Sequence, residues 1–242
     1  MTAKSKTEWA FYDAVISGDA AGLTKLLDSH PELIRWQGKD DFGVPDETGL
    51  LLNTRFLARG DRDQAYEVFD ILMQARPDVN ARDRTGFTPL MMSCMNGETK
   101  MVEALLAAGA DPHLTNNDGG TALMYAAQKG SIDCAAMLLS RGVPVDARDK
   151  DGQTALFKTR YAGDAAPAII RYLIGQGASA FIFDNAGKCP AQVAFDQKYE
   201  DIAESYSKIA AQVAGGKRRD AAVLEKGISR PLTVGKPLRL KS

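Results

Sequence analysis

The chain has 242 residues, 45% of them hydrophobic and 25% charged, and a formal net charge of −1. That balance is ordinary for a folded soluble protein and excludes wholesale disorder. The near-neutral total gives the whole molecule no strong electrostatic pull toward nucleic acid or membrane. The opening Met-Thr-Ala-Lys-Ser-Lys-Thr-Glu-Trp lacks the apolar core of a secretory signal. No apolar run approaches the ~18–20 residues that cross a bilayer. Cys94, Cys134 and Cys189 are odd in number and widely spaced, which does not suit a disulfide framework. They read as small semi-buried side chains in a reducing cytoplasm.

Length alone allows one or two domains. In chain order, residues 7–40 read as a helix pair with Phe11, Ala14, Val15, Leu23, Leu26 and Leu27 on its apolar faces and Gly18 between the helices. Residues 41–82 have an irregular front and end in a good helix around Ile71-Leu-Met, with Gly60-Asp-Arg-Asp expected to form a loop. Three rows follow with a common pattern, starting at Asp83, Asn116 and Asp149. Thr88, Thr121 and Thr154 are spaced by 33 residues, as are Leu90, Leu123 and Leu156, and Gly97, Gly130 and Gly163. A fixed period of this size means a stacked array of supersecondary units. Each threonine can cap a first helix, with Pro89 at the first helical position. Gly97 and Gly130 can close that helix in a left-handed turn. Leu105-Leu and Leu138-Leu give the second helix its buried face, and Gly109, Gly142 and Gly177 end it.

These rows resemble the ankyrin family, whose unit is a β-turn followed by two antiparallel helices. Thr88-Pro-Leu, Gly97, Met101-Val, Leu105-Leu and Gly109-Ala-Asp reproduce nearly the whole family pattern, and Thr121-Ala-Leu through Gly142 repeats it. Elsewhere the chain departs from it. Thr48-Gly-Leu stands in for Thr-Pro-Leu, two extra residues fall around Ala165-Ala-Pro, Cys189 replaces the capping threonine, and Lys198 replaces the mid-repeat glycine. The resemblance implies an all-α ankyrin-repeat solenoid of helix-turn-helix units with β-hairpin fingers. About six units fill 1–214. The best repeats are 83–115 and 116–148, and partial ones are 7–40, 41–82, 149–183 and 184–214. The last row continues through Val193, Ile202 and Tyr206. The outer units would act as solubilising caps.

No catalytic set stands out. His30 and His113 are far apart and read as surface turn residues. There is no nucleophile elbow, Walker-type loop or paired Cys-x-x-Cys. No cofactor or metal is expected. Asp40, Asp41, Asp46 and Glu47 form either a solvated acidic loop or a recognition finger. Arg160 occupies a position held by Cys94 and Ala127 in the two preceding rows, so its cation should snorkel out or reach a carboxylate, or the unit repacks locally.

The family resemblance implies a groove made by the hairpin tips and the exposed face of the first helices. Position by position, the tips are Arg84, Thr85, Phe87, Asn117, Asp118, Gly120, Lys150, Asp151 and Gln153. The helix ends add Met95, Asn96, Gln128, Lys129 and Tyr161. Asn185, Ala186 and Lys188 extend the tips into the last row. Phe87, Met95 and Tyr161 are the anchor candidates, because binding energy concentrates on a few large side chains. The alternative is that some of them pack against a neighbouring tip.

From Gly215-Gly216 the character changes. Residues 217–242 carry eight basic residues against Asp220 and Glu225, a formal +6, which leaves −7 for residues 1–216. Ile228, Leu232, Val234, Leu238 and Leu240 recur among Pro231 and Pro237, which suits an extended segment docked on an acidic surface, with disorder as the alternative. The tail lacks interleaved aromatics, so nucleic-acid binding is not expected. The resulting expectation is a non-catalytic cytoplasmic adaptor or inhibitor, monomeric alone, that binds a protein in its groove. An immunity-type protein neutralising a toxin or enzyme is one alternative, and an assembly protein joined through its tail is another.

Overall fold

The computed structural model describes residues 6–35, 37–39, 45–48, 50, 62–197, 199, 202–206 and 208. The basic tail and residues 40–44 of the acidic stretch lie outside the described residues, as does Lys198.

Helices α1 (Lys6–Ser17) and α2 (Ala20–Ser29) pack together through Phe11, Ala14, Val15 and Leu23. Asp19 caps α2, its Oδ1 accepting the Gly22 N–H at 2.9 Å. A 3-10 turn over Pro31–Arg35 follows. Then β1 (Gln37–Lys39) pairs antiparallel with β2 (Pro45–Thr48), matching Gln37 to Thr48 and Gly38 to Glu47. Asp46 and Glu47, read from the sequence as part of a solvated loop or a recognition finger, therefore sit on a strand. Helix α3 (Arg62–Gln74) also begins earlier than expected, because Arg62 and Asp63 already form its first turn.

The regular part is built as the repeat predicts. Thr88 accepts the Met91 N–H at the start of α4 (Pro89–Asn96), and Gly97 closes it at φ 76°. After α5 (Thr99–Ala107), Thr121 accepts the Met124 N–H to begin α6 (Ala122–Lys129), and Gly130 closes that helix at φ 79°. Ser131 caps α7 (Ile132–Ser140) through the Cys134 N–H. Left-handed glycines at these stops avoid a Cβ clash that other residues would incur.

The third row is different. Helix α8 (Ala155–Lys158) has only four residues and gives way to 3-10 turns over Thr159–Tyr161 and Gly163–Ala165 before α9 (Ala166–Gly175). Thr154 makes no capping bond here, and its hydroxyl is buried without a partner, against expectation. The carbonyl of Leu156 explains the early stop. It accepts the Thr159 hydroxyl at 2.8 Å and also the Tyr206 hydroxyl. Side-chain bonds of this kind compete with the helical ladder.

Helix α10 (Pro190–Asp196) starts at Cys189, whose N–H is accepted by Gln192 Oε1 at 3.0 Å. A helical stretch over 202–206 then places Ile202, Ala203 and Tyr206 against the end of the array.

The first helices α4, α6, α8 and α10 stack in that order, and the second helices α5, α7 and α9 stack beside them. One apolar core runs from Phe11 to Tyr206. Ser93, Cys94, Ala126 and Ala127 are sealed from water, so the first helices approach closely. Cys94 and Cys134 hydrogen-bond to one another, which their separation in sequence did not suggest. That bond, followed by burial, holds the Cys94 thiol well above its ordinary value. The irregular second unit is tied on by polar groups. Glu98, almost fully buried, accepts the Tyr66 hydroxyl at 2.6 Å and faces Arg62 at 3.2 Å.

Leu105 and Leu138 are fully buried. Leu105→Ala or Leu138→Ala should cost about 2–5 kcal/mol by leaving a cavity. Urea denaturation measures this, and an unchanged midpoint would contradict the packing described.

Burial, then the bond to Glu98, pushes the Tyr66 phenol up to about 12. Burial, then the charge of Asp118, does the same for Tyr125, and burial also raises Tyr206. The unfolded chain would ionise these phenols near pH ~10. The folded state holds their protons longer, so their contribution to stability is full below that pH and is lost as pH rises through about 12. Denaturation followed between pH ~9 and ~12 should show stability falling, with phenolate absorbance appearing together with unfolding.

Candidate functional site

Each finger is held by the side chain that opens it. Asp83 Oδ1 accepts the N–H groups of Thr85 and Phe87, both at 2.8 Å. Asn116 Oδ1 accepts those of Asp118 and Gly120, Asp149 Oδ1 those of Asp151 and Gln153, and Asp184 Oδ1 those of Ala186 and Lys188. The short carboxylate or amide thus builds a turn from its own backbone donors. The fingers contain no regular strands beyond an isolated bridge between Thr115 and Thr121, so they are turns more than hairpins.

The tips are joined into one strip. The Asn117 N–H reaches Thr85 O, the Lys150 N–H reaches Asp118 O, and the Asn185 N–H reaches Asp151 O, each at 2.9 Å. Asn117 Nδ2 donates to Arg84 O, and Asn185 Nδ2 to Lys150 O, both at 2.8 Å. Arg82 Nη2 and Arg148 Nη2 reach the backbone of the next finger at Thr115 O and Phe183 O, both at 2.7 Å. Gly119 shows how close the stacking is. It has φ 79°, and a Cβ there would stand 3.1 Å from the Asp149 backbone.

The groove residues named from the sequence fall into two groups. Arg84, Thr85, Asn117, Asp118, Lys129, Lys150, Asp151 and Tyr161 are exposed, as are Asn185 and Ala186. Phe87, Met95, Asn96, Gln128, Gln153 and Lys188 are half-buried, and Gly120 is buried. Two anchor candidates therefore need correction. The Phe87 ring lies 4.8 Å from that of Tyr125 and packs on Ala81 and Met92, with Met95 in the same cluster. It joins neighbouring repeats more than it faces solvent. Several tip side chains are also committed to structure. Asn117 and Asn185 bridge fingers, Thr85 Oγ1 donates to Asp83 Oδ1 at 2.7 Å, and Lys188 pairs with Asp196.

Of the three readings for Arg160, the structure shows the local repacking of its unit. Arg160 does not snorkel out, and it meets no carboxylate among the described residues. It is 7% exposed and donates to Phe157 O, Gln153 Oε1 and the Tyr161 hydroxyl, with the Tyr161 ring 4.4 Å from its Cζ. The shortened α8 makes room for this, because the guanidinium caps the Phe157 carbonyl that a continuing helix would have used.

Among the described residues, no group of three or more His, Cys, Asp or Glu side chains is placed to hold a metal ion. None of the described helices is long and apolar enough to cross a membrane. His30 pairs with Glu32 at 3.2 Å, and His113 is exposed.

The family model for ankyrin repeats matches residues 57–149 as three copies. Residues 57–149 of this chain are ankyrin repeats. The crystal structure of an ankyrin repeat domain from Acinetobacter baumannii is similar to it at 28% identity and a TM-score of 0.65, over 84% of this chain and 98% of that one. The comparison with curated proteins found no match. Ankyrin repeats make the chain a protein–protein interaction module.

Two sets of ankyrin-finger residues escaped the sequence reading, although their spacing was visible. Asp83, Asn116, Asp149 and Asp184 recur at 33, 33 and 35 residues, and they shape every finger. Arg82 and Arg148 precede two of them and clamp alternate fingers.

Phe87→Ala should lower stability by about 1–2 kcal/mol, less than a fully buried ring because one side stays wet. Lys129→Ala should stay within about 0.5 kcal/mol of the parent. Urea midpoints compare the two, and equal values would return Phe87 to the exposed group.

Proposed function

We propose that the chain binds one protein partner on the face made by the fingertips and the ends of the first helices, and that it does so as a cytosolic adaptor or inhibitor without catalysis. In this reading about six ankyrin units span 1–214, a basic tail follows, and the protein is a monomer until it meets its partner. The observation that supports it is the fingertip strip. Backbone bonds between Thr85 and Asn117, Asp118 and Lys150, and Asp151 and Asn185 lock the tips together, so the exposed side chains on them are held in a fixed array. A surface ordered in advance loses little entropy on binding. Tyr161, half exposed, is the large side chain within this array and takes the anchoring role first shared with Phe87 and Met95.

Capture from the native cell, with the bound protein identified by mass spectrometry, supplies the partner. Lys129→Glu combined with Lys150→Glu should weaken its binding tenfold or more with little change in melting midpoint. Glu103→Lys combined with Arg171→Glu, exposed on the second helices, should leave binding unchanged. Loss in the second pair with retention in the first would place the partner on the opposite face.

A further inference from the structure

The third repeat holds two cations on one neutral oxygen. Gln153 Oε1 accepts Lys158 Nζ at 3.0 Å and lies 3.5 and 3.4 Å from Arg160 Nη1 and Nη2. Lys158 also meets Asp149 Oδ2 at 2.6 Å, but Asp149 is already engaged by the finger backbone through Oδ1. Arg160 has no such partner among the described residues. Its remaining bonds go to Phe157 O and the Tyr161 hydroxyl, both neutral, and its Nε is buried with no acceptor. Burying a charge among neutral dipoles is unfavourable, and an unmet donor adds to the cost. Repeat packing does not require it, since Cys94 and Ala127 fill this position in the preceding repeats.

What the cluster lacks, among the described residues, is one anion. Guanidinium prefers a planar carboxylate that takes two parallel hydrogen bonds. The cover over the site is a single side chain deep. Gln153 is half-buried at a fingertip, the Lys158 side chain is 19% exposed, and the Tyr161 ring over the guanidinium is 50% exposed. Rotation of the Gln153 side chain away from Arg160 would open the position its oxygen now holds.

We propose that Gln153, Lys158, Arg160 and Tyr161 form a carboxylate subsite, in which an aspartate or glutamate side chain of a partner protein displaces the Gln153 amide oxygen and pairs with Arg160 and Lys158. The inference rests on the groove reading, because these residues lie at the finger and first helix of that face. It adds the chemistry of the partner's contact, an acidic side chain entering beside Tyr161. Such a contact is shielded from solvent by the Tyr161 ring, where charge pairs resist screening.

The Nε–H resonance of Arg160, assigned by its loss in Arg160→Lys, reports directly on the site. The probe is an acetylated, amidated hexaglutamate peptide, in which every carboxylate is a side chain. It should shift that resonance saturably, while hexaglutamine and sodium chloride of equal ionic strength should not. Gln153→Glu, which supplies the carboxylate from within, should weaken the hexaglutamate response at least tenfold and raise the melting midpoint. A resonance that hexaglutamate leaves in place, or moves no more than chloride does, would overturn the proposal, and so would a Gln153→Glu protein that responds like the parent. This readout is separate from partner capture. A responsive Arg160 together with partner binding insensitive to Lys129 and Lys150 would sink the groove reading and leave the subsite. An unresponsive Arg160 with groove-sensitive capture would do the reverse.

Discussion

Leu90, Leu105, Leu123 and Leu138 are sealed from water within one apolar cluster that also contains Phe11 near one end and Tyr206 near the other. A pair of short helices has too little area to bury such side chains alone. Only a neighbouring pair, stacked at close range, completes the burial. That need for a neighbour governs the rest of the architecture. It selects small residues such as Ser93, Cys94, Ala126 and Ala127 between first helices, and it brings each fingertip within hydrogen-bonding reach of the next. It also requires ends that differ from the middle. Tyr206 closes one of them by turning its hydroxyl inward to the Leu156 carbonyl.

The polar framework and the apolar core reinforce one another. Asp83, Asn116, Asp149 and Asp184 fold each finger locally, using backbone donors that would otherwise be unpaired. The fingers then bond to each other, and the arginines at 82 and 148 tie their bases. Rigidity of the tips is therefore a consequence of stacking. The same stacking takes Phe87 out of the set of free recognition residues, because a ring at the base of one finger meets Tyr125 of the next repeat.

Where the repeat is imperfect, the structure is most specific to this protein. The third row has a four-residue α8, an uncapped Thr154 and a buried guanidinium. These features belong together. Thr159 and Tyr206 take the carbonyl of Leu156, the helix ends, and Arg160 turns onto the carbonyl of Phe157 and beneath Tyr161. A regular repeat would have placed an alanine or cysteine there. The binding face thereby gains a cation that is held in place and lacks a counter-charge among the described residues.

The sequence by itself determined the repeat, its period, the capping threonines at 88 and 121, the left-handed glycines at 97 and 130 and the buried leucine seams. All of these are local, because a helix start, a helix stop and an apolar stripe are each written within a few neighbouring residues. It also placed the candidate groove residues at the tips and first helices, by resemblance to the ankyrin family. Tertiary structure alone decided which of those side chains are free. Phe87, Asn117 and Gln153 are drawn into contacts with residues 5 to 38 positions away, and Cys94 meets Cys134 from the adjacent repeat. The fate of Arg160 was equally hidden. Its surroundings depend on where a helix fails, on a tyrosine 46 residues later and on the reach of Gln153 across a finger. Period and caps follow from backbone geometry within one unit, whereas burial and charge pairing depend on what the neighbouring unit brings.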